Sequence, residues 1–174
     1  AILDYNKALK LNPDYSDAYY NRGIIYEELG EYDKALEDYN RAIKLNPSYI
    51  IDVYTNRGNT YLAKEAYDKA ISDYGKILAI DSTNIKAYSN RAGAYIMQKE
   101  YDKALTDCNK AIGLDSTNIN AYQKRASVYE AQKEYKQALD DYGKILHLDP
   151  QNKFDTHETV RKAIKKLRPL SRYK

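Results

Sequence analysis

Four side chains recur at one position of a repeated pattern and could bind a polypeptide backbone. Asn21, Asn56 and Asn90 are spaced by 35 and 34 residues, and Lys124 follows after a further 34. An asparagine amide offers both N–H donors and a carbonyl acceptor, so it can bond the N–H and the C=O of an extended peptide together. The spacing therefore predicts a row of amides, with Lys124 taking the same position in the last copy.

The residues that most often carry catalysis or metal binding are scarce and scattered. His147 and His157 stand ten residues apart, with no nearby cysteine or paired carboxylate pattern. The one cysteine, Cys108, takes a position that is aromatic in the other copies, which favours a buried and unreactive thiol. The glycines fall at helix-packing positions and helix ends rather than in a phosphate-binding loop. We therefore expect no catalytic residue, no metal site and no cofactor.

The segment that must position the amides is residues 16–49, which has the pattern of two amphipathic helices joined by a tight turn. Tyr19, Gly23 and Tyr26 lie at i, i+4 and i+7, on one face of the first helix. Ala35 and Tyr39 mark the same kind of stripe on the second helix. Small residues at Gly23 and Ala35 allow the two helices to approach closely, and one hairpin cannot bury this stripe alone, so copies must stack.

The same framework returns through the rest of the chain. The equivalent residues of the first helix are Tyr54, Gly58 and Tyr61, then Tyr88, Ala92 and Tyr95, then Tyr122, Ala126 and Tyr129. With Tyr5 and the tyrosines at the second-helix positions of Tyr32 and Tyr39, this framework takes up sixteen of the twenty tyrosines. The many tyrosines therefore indicate packing rather than nucleic-acid stacking. Tyr20 is one of the few outside it, because it points off the packed stripe.

This pattern resembles the tetratricopeptide repeat family, in which an aromatic, a small residue and a Tyr on one helix precede an Ala, an aromatic and an Ala on the next. The resemblance covers four copies, at 16–49, 51–84, 85–118 and 119–152. It implies an all-α fold, a right-handed superhelical α-solenoid of helix-turn-helix repeats. An extra residue near Ile50 predicts a longer connection between the first two copies.

Both ends of the chain depart from the pattern. Residues 1–15 resemble the second helix of a truncated repeat, either because the chain is a fragment of a longer protein or because a natural start docks on something else. Residues 153–174 are predicted to form a C-terminal capping helix, over 154–167, and a basic tail. The capping stripe is Val160, Ile164 and Leu167, and Asp155 or Thr156 is expected to cap the helix.

Charge and hydropathy exclude several classes of protein. The formal net charge of +3 is too small to argue for nucleic acid. Residues 153–174 hold eight Lys and Arg against two Asp and Glu, which favours either a solvated helix face or a patch for acidic partners. The chain has no apolar run long enough to predict a membrane span, and we expect a cytoplasmic protein.

An Arg one residue before each small framework residue needs a partner inside a packed layer. Counting antiparallel from the contact between Gly23 and Ala35 places Arg22 near Asp38. The sequence therefore predicts buried ion pairs, within a repeat or to its neighbour. The two sets are Arg22, Arg57, Arg91 and Arg125, and Asp38, Asp73, Asp107 and Asp141.

The resemblance also implies a site. Tetratricopeptide arrays use their first helices to line a concave groove that holds an extended peptide or a partner helix. By that resemblance the predicted peptide-binding residues of this chain are Tyr20, Asn21, Ile24, Asn56, Asn59, Lys86, Asn90 and Lys124. The amide row resembles the asparagine ladder in the repeat domain of O-linked N-acetylglucosamine transferase.

The sequence predicts a non-enzymatic protein-interaction scaffold and leaves three alternatives. One is a co-chaperone module that clamps the carboxylates of a Glu-Glu-Val-Asp tail, although Thr55 and Asn120 stand where that clamp has Lys. Another is a docking arm of a larger enzyme. The third is a self-assembling scaffold, with end-to-end association through residues 1–15.

Overall fold

The computed structural model describes residues 1–45, 47–151 and 157–172, and within them the fold is all-α, as predicted. Helices pair as helix-turn-helix repeats, with no strand in the described part of the chain. The α-helices are α1 Ile2–Leu11, α2 Ser16–Glu28, α3 Tyr32–Lys44, α4 Ile50–Ala63, α5 Tyr67–Ile80, α6 Ile85–Met97, α7 Tyr101–Leu114, α8 Ile119–Ala131, α9 Tyr135–Leu148 and α10 His157–Leu167. A 3-10 turn follows at Leu170–Arg172.

The chain divides into two compact units, Ala1–Ala87 and Tyr88–Lys174, and each has a core of its own. In the first unit, α3 and α5 bury the alanine and aromatic stripes that the sequence predicts. Ala35 and Tyr39 on α3, and Ala70 and Tyr74 on α5, are fully inaccessible to solvent. Val53 on α4 completes the cluster around Tyr39.

Two glycines are required where first and second helices meet in this unit. A Cβ at Gly23 would lie 2.8 Å from Cε1 of Tyr39, and a Cβ at Gly58 would lie 2.8 Å from Cε1 of Tyr74. Real Cβ atoms do not approach a ring so closely, so the tyrosine would have to move within a close-packed core. The glycine on one helix and the aromatic on the other are therefore a matched pair.

The turn inside each repeat needs one residue in the left-handed region. Gly30 adopts φ 74°, and Glu65, Lys99 and Lys133 adopt φ values of 57°, 61° and 61° at the equivalent position. In the first repeat the following N–H, that of Glu31, reaches back to the carbonyl of Tyr26 at 2.8 Å, which closes the end of α2. Only the first repeat uses the residue that tolerates this conformation without strain.

The turns between later repeats cap the helix that follows. Oδ1 of Asn84 accepts the backbone N–H of Ala87 at 2.9 Å, and Oδ1 of Asn118 accepts that of Ala121 at 2.9 Å. Each bond satisfies one of the free donors at a helix start. The carboxylate of Asp81 additionally accepts from the backbone and hydroxyl of Thr83.

In the second unit, α10 packs its apolar stripe on α9. Val160 and Leu167 are 2 % and 1 % exposed and join Tyr142 and Ile145 in one cluster, with Ile164 partly buried against it. Lys166 of α10 also lies 3.6 Å from Glu130 of α8. The predicted capping residues Asp155 and Thr156 fall outside the described residues. None of the described helices combines the length and the apolar character needed to cross a bilayer.

Candidate functional site

The predicted arginine–aspartate pairs form in all four repeats, and they fix each first helix on its second helix. Nε and Nη2 of Arg22 each donate to one carboxylate oxygen of Asp38, both at 2.7 Å. The same bidentate geometry joins the other three pairs, Arg57–Asp73, Arg91–Asp107 and Arg125–Asp141. The hydrogen bond that Arg22 donates to Asp38 raises the pKa of Arg22 above its ordinary value, although burial acts in the opposite direction. The prediction is therefore confirmed, and each pair lies within one repeat.

Each of these arginines also lies between two framework tyrosines. The guanidinium carbon of Arg57 is 5.5 Å from the ring centre of Tyr54 and 5.9 Å from that of Tyr61, within the range of a cation–π contact. Its Nη1 donates at 2.5 Å to Asn40 on the second helix of the preceding repeat. Arg22 and Arg125 make the matching bonds, to Asn6 and Asn109. Sequence reasoning missed these asparagines, because nothing in one repeat indicates which residue of its neighbour lies opposite.

With the framework residues committed to packing, other side chains remain on the first helices. We call them the first-helix face. In the first unit this face carries Tyr20, Asn21, Ile24, Asn56, Asn59 and Lys86, and in the second it carries Asn90 and Lys124.

Tyr20 is half-buried and contacts two other tyrosine rings. Its ring centre lies 6.1 Å from that of Tyr39 and 5.2 Å from that of Tyr49, in tilted arrangements. Its hydroxyl accepts the amide Nδ2 of Asn56 at 3.1 Å. Burial, followed by the carboxylate of Asp52, raises the pKa of Tyr20. Tyr20 therefore packs on the cluster around Tyr39 and against Tyr49, the residue that precedes α4.

The amides of the first unit are not the open, equivalent groups that the sequence pattern suggests. Nδ2 of Asn21 donates to the backbone carbonyl of Asp17 in its own helix at 2.8 Å, whereas Nδ2 of Asn56 donates to Tyr20 of the neighbouring repeat. Both side chains are half-buried. Each bond uses one of the two N–H donors of the amide, so the second N–H and the carbonyl can still form hydrogen bonds.

Ile24 and Asn59, two of the predicted peptide-binding residues, are partly engaged by contacts within the first unit. Ile24 is half-buried and packs on the cluster around Tyr39. Oδ1 of Asn59 accepts the hydroxyl of Tyr74 at 2.8 Å, so this amide also satisfies a buried phenol of the second helix. Asn59 accepts this bond because it lies next to the hydroxyl of Tyr74, and the sequence alone did not reveal that contact.

In the second unit, Lys124 stands where the other full repeats have asparagine, and its side chain lies near Gly93. Its Nζ and Cε lie 3.7 and 3.8 Å from the point that a Cβ at Gly93 would occupy. Cys108 is buried close by, at the position that holds Tyr in the other full repeats, and burial raises the pKa of its thiol to about 12. The small Cys108 and Gly93 leave room for the lysine stem. Burial lowers the pKa of Lys124, and no carboxylate of the described residues pairs with its ammonium.

The remaining predicted residues differ in exposure. Lys86 is exposed in the first turn of α6, whereas Asn90 is half-buried and has an interaction partner. Among the described residues, no group of three or more His, Cys, Asp or Glu is arranged to hold a metal ion. The first-helix faces therefore offer amides, phenols, carboxylates and two cations, which suit the binding of a polypeptide by hydrogen bonds and charge.

The sequence model of the tetratricopeptide repeat matches residues 16–49, 51–84, 85–118 and 119–152. A second model, described as a TPR repeat, matches residues 1–30. Comparison with the curated proteins returns no match.

Solved structures share the fold. "Crystal structure of MamA" is 23% identical over 87% of this chain and 88% of that one, with a TM-score of 0.80. The "Arabidopsis OM64 TPR domain" is 32% identical over 68% of this chain and 94% of that one, with a TM-score of 0.62. The "First TPR of Spaghetti (RPAP3) bound to HSP90 peptide SRMEEVD" is 33% identical over 70% of this chain and 95% of that one, with a TM-score of 0.61.

Proposed function

The chain belongs to the tetratricopeptide repeat family, and we propose that it is a non-enzymatic scaffold that binds an extended peptide or partner segment on its first-helix faces. Repeats of this family are typically non-catalytic protein-interaction modules. The observation that carries this proposal is a difference between the helices. The second helices bury their framework residues, whereas the first helices keep polar and aromatic side chains within reach of solvent.

That difference is clearest in the first unit. The second-helix residues Ala35, Tyr39, Ala70 and Tyr74 are inaccessible to solvent, so they offer no surface to a ligand. The first helices hold polar and aromatic side chains that packing does not consume, and solvent reaches them. A surface whose geometry is fixed by buried ion pairs, and whose exposed groups can donate and accept hydrogen bonds, supports binding with little reorganisation.

The bonds within the site suggest how a peptide would be held. Asn21 and Asn56 each commit one N–H within the protein. The committed bond orients the amide, and the free N–H and carbonyl can then meet a peptide backbone. Recognition through backbone groups depends little on sequence, so selectivity falls to neighbours such as Tyr20 and Lys86, both in the first unit.

A peptide array tests this proposal. We expect extended peptides to bind, and the double variant Asn21→Ala with Asn56→Ala to weaken binding by about 0.5–1.5 kcal/mol for each lost hydrogen bond. The matched control is Glu37→Ala, an exposed residue on the second helix α3. Binding that is equally strong in the double variant and the control, with unchanged melting temperatures, would reject the first-helix face of this unit.

A second candidate function is the binding of a chaperone tail, and the similarity to a domain bound to an HSP90 peptide favours it. The five clamp positions here are Thr55, Asn59, Asn90, Asn120 and Lys124. The hydroxyl of Thr55 is bonded to the carbonyl of Ile51, and its side chain is 9 % exposed, so no cation or open donor stands there. A carboxylate would depend mainly on Lys124.

Calorimetry with the peptide SRMEEVD separates the two candidates. A chaperone-tail module should bind it, and should lose at least about tenfold in affinity when Lys124 is replaced by Ala, because a charged hydrogen bond contributes about 1.5–3 kcal/mol. The same peptide with an amidated C-terminus is the control for the terminal carboxylate. Equal binding of the two peptides would remove the clamp as an explanation.

Self-association through residues 1–15 stays a proposal, supported by exposed apolar side chains on α1. Leu3 and Leu11 are 81 % and 80 % exposed, whereas Leu9 is buried. Two large exposed leucines on one short helix are suited to contact with a second molecule. Light scattering should detect association that the double variant Leu3→Glu with Leu11→Glu abolishes. A concentration-independent monomer mass for the unaltered chain would exclude it.

A further inference from the structure

We propose that the first unit holds a docking surface for a basic side chain, formed by the rings of Tyr20 and Tyr49 and the carboxylates of Asp17, Glu27 and Asp52. This inference rests on the proposed peptide-binding function and names the chemistry that one part of the peptide must have. An arginine or lysine of the partner would lie against the tyrosine rings with its charge among the carboxylates.

The aromatic part of this surface belongs to the first repeat alone. Tyr20 is replaced by Thr55, Ser89 and Gln123 at the equivalent position of the later repeats. Its partner Tyr49 stands directly before α4, and its ring centre lies 5.2 Å from that of Tyr20 at an angle of 37°. Both rings are half-buried, so each retains solvent-accessible surface.

Of three nearby carboxylates, one bonds the hydroxyl of Tyr49 and another bonds that of Tyr39, whose ring contacts Tyr20. The hydroxyl of Tyr49 donates to Asp17, and the hydroxyl of Tyr39 donates to Glu27 at 2.6 Å. Asp52 lies in the first turn of α4, three residues after Tyr49, and burial together with this carboxylate raises the pKa of Tyr20. Asp17 and Asp52 are exposed, and Glu27 is half-buried.

No cation of the described residues neutralises these groups. The ion pairs of this unit join other carboxylates, those of Asp4, Glu31, Asp33, Asp38 and Asp73. The cation–π contacts of the unit fall on other rings, those of Tyr19, Tyr26, Tyr54 and Tyr61. The three carboxylates of this surface thus have no positive partner in the described part of this unit.

This excess of negative charge favours a cationic side chain as the occupant. A tyrosine face attracts a cation through its quadrupole, and the attraction adds to that of nearby carboxylates. An acidic peptide segment would be repelled, and a purely apolar one would leave the carboxylates unpaired. Arginine suits the surface better than lysine, since its planar guanidinium can stack on a ring and donate two parallel hydrogen bonds to a carboxylate.

Chemical-shift titration by NMR tests the surface with two probes that differ at one residue. They are acetyl-Ala-Ser-Ala-Arg-Ala-Ser-Ala-amide and the same peptide with Gln in place of Arg, each added to millimolar concentration. We expect the Arg probe to bind several-fold more tightly, with shifts at the amides around Tyr20 and Tyr49. Added salt should weaken the Arg probe and leave the Gln probe unchanged, because exposed charges are screened.

Variants separate charge from shape. The pair Asp17→Asn and Asp52→Asn should weaken the Arg probe about fivefold and leave the Gln probe unaffected, since each exposed charge interaction is small. The pair Asp14→Asn and Glu37→Gln removes the same net charge elsewhere in the unit and is the control. Tyr20→Leu keeps apolar volume and should weaken the Arg probe about threefold.

The outcomes distinguish this inference from the function it rests on. Equal binding of the two probes, or equal loss in the site and control variants, would overturn the basic-side-chain surface while leaving peptide binding intact. An absence of shifts around Tyr20 with the Arg probe would overturn it as well. A peptide array that includes sequences with no basic residue tests the proposed function independently of this surface.

Discussion

Replacing Asp73 by Asn should leave Arg57 as an unpaired cation inside the first unit. The side chain of Asp73 is 2 % exposed and that of Arg57 is 11 % exposed, and two hydrogen bonds of 2.7 and 2.6 Å join them. An asparagine keeps the shape and one acceptor oxygen, but it removes the negative charge. The perturbation is therefore electrostatic, with little change in packing.

The structure sets the size of the expected loss. Breaking a buried ion pair while one charge remains costs about 3–5 kcal/mol. Arg57 keeps its bond to Asn40 and its contacts with the rings of Tyr54 and Tyr61, which continue to stabilise the cation. We therefore expect a loss near the lower limit, about 3 kcal/mol of the free energy of unfolding. The double variant Arg57→Met with Asp73→Leu should lose less than about 1.5 kcal/mol, because no charge is left buried.

Urea-induced unfolding followed by circular dichroism measures both variants. Lys64→Gln is the control, since it breaks an ion pair with Asp33, whose side chain is 87 % exposed, and should change stability by less than about 1 kcal/mol. Because each repeat contacts mainly its neighbours, the loss should appear in the transition that includes the second repeat. A loss in Asp73→Asn no larger than that of Lys64→Gln would refute the argument that these pairs need each other.

Three further outcomes test the turns, the buried lysine and the tyrosines. Gly30→Ala should destabilise the protein by about 1 kcal/mol because φ is 74°, whereas Gly143→Ala, with open space inside α9, should stabilise it by about 0.5–1 kcal/mol; equal effects in thermal melts would contradict this contrast. Lys124→Met should stabilise the protein at neutral pH by a free energy on the order of 1 kcal/mol, because burial lowers the pKa of that amine and disfavours its charged form. A lower melting temperature in this variant would show that the ammonium has a stabilising role. Burial raises the pKa values of Tyr39 and Tyr74 above the ordinary value of about 10, so their contribution to stability should be complete below that pH and lost as pH rises above it; tyrosinate absorbance that rises early, before the helices unfold, would contradict their burial.

The sequence by itself determined the repeats and their internal contacts. Helical periodicity places Tyr19, Gly23 and Tyr26 on one stripe, and the stripe has to be buried whatever the ligand is. Arg22 and Asp38 are sixteen residues apart on antiparallel helices, so their contact follows from counting, and it is found in every repeat. The stripe of α10 was predictable for the same reason.

Only the tertiary structure decided what the candidate site contains. The contact between Tyr20 and Tyr49, the bond from Asn56 to Tyr20, and the placement of Lys124 beside Gly93 all join residues whose distance depends on how one helix lies on the next. Periodicity gives the face on which a side chain starts, but a long side chain takes its final position from the space that its neighbours leave. The amides that look equivalent in sequence therefore differ in the fold, because their acceptors come from different elements.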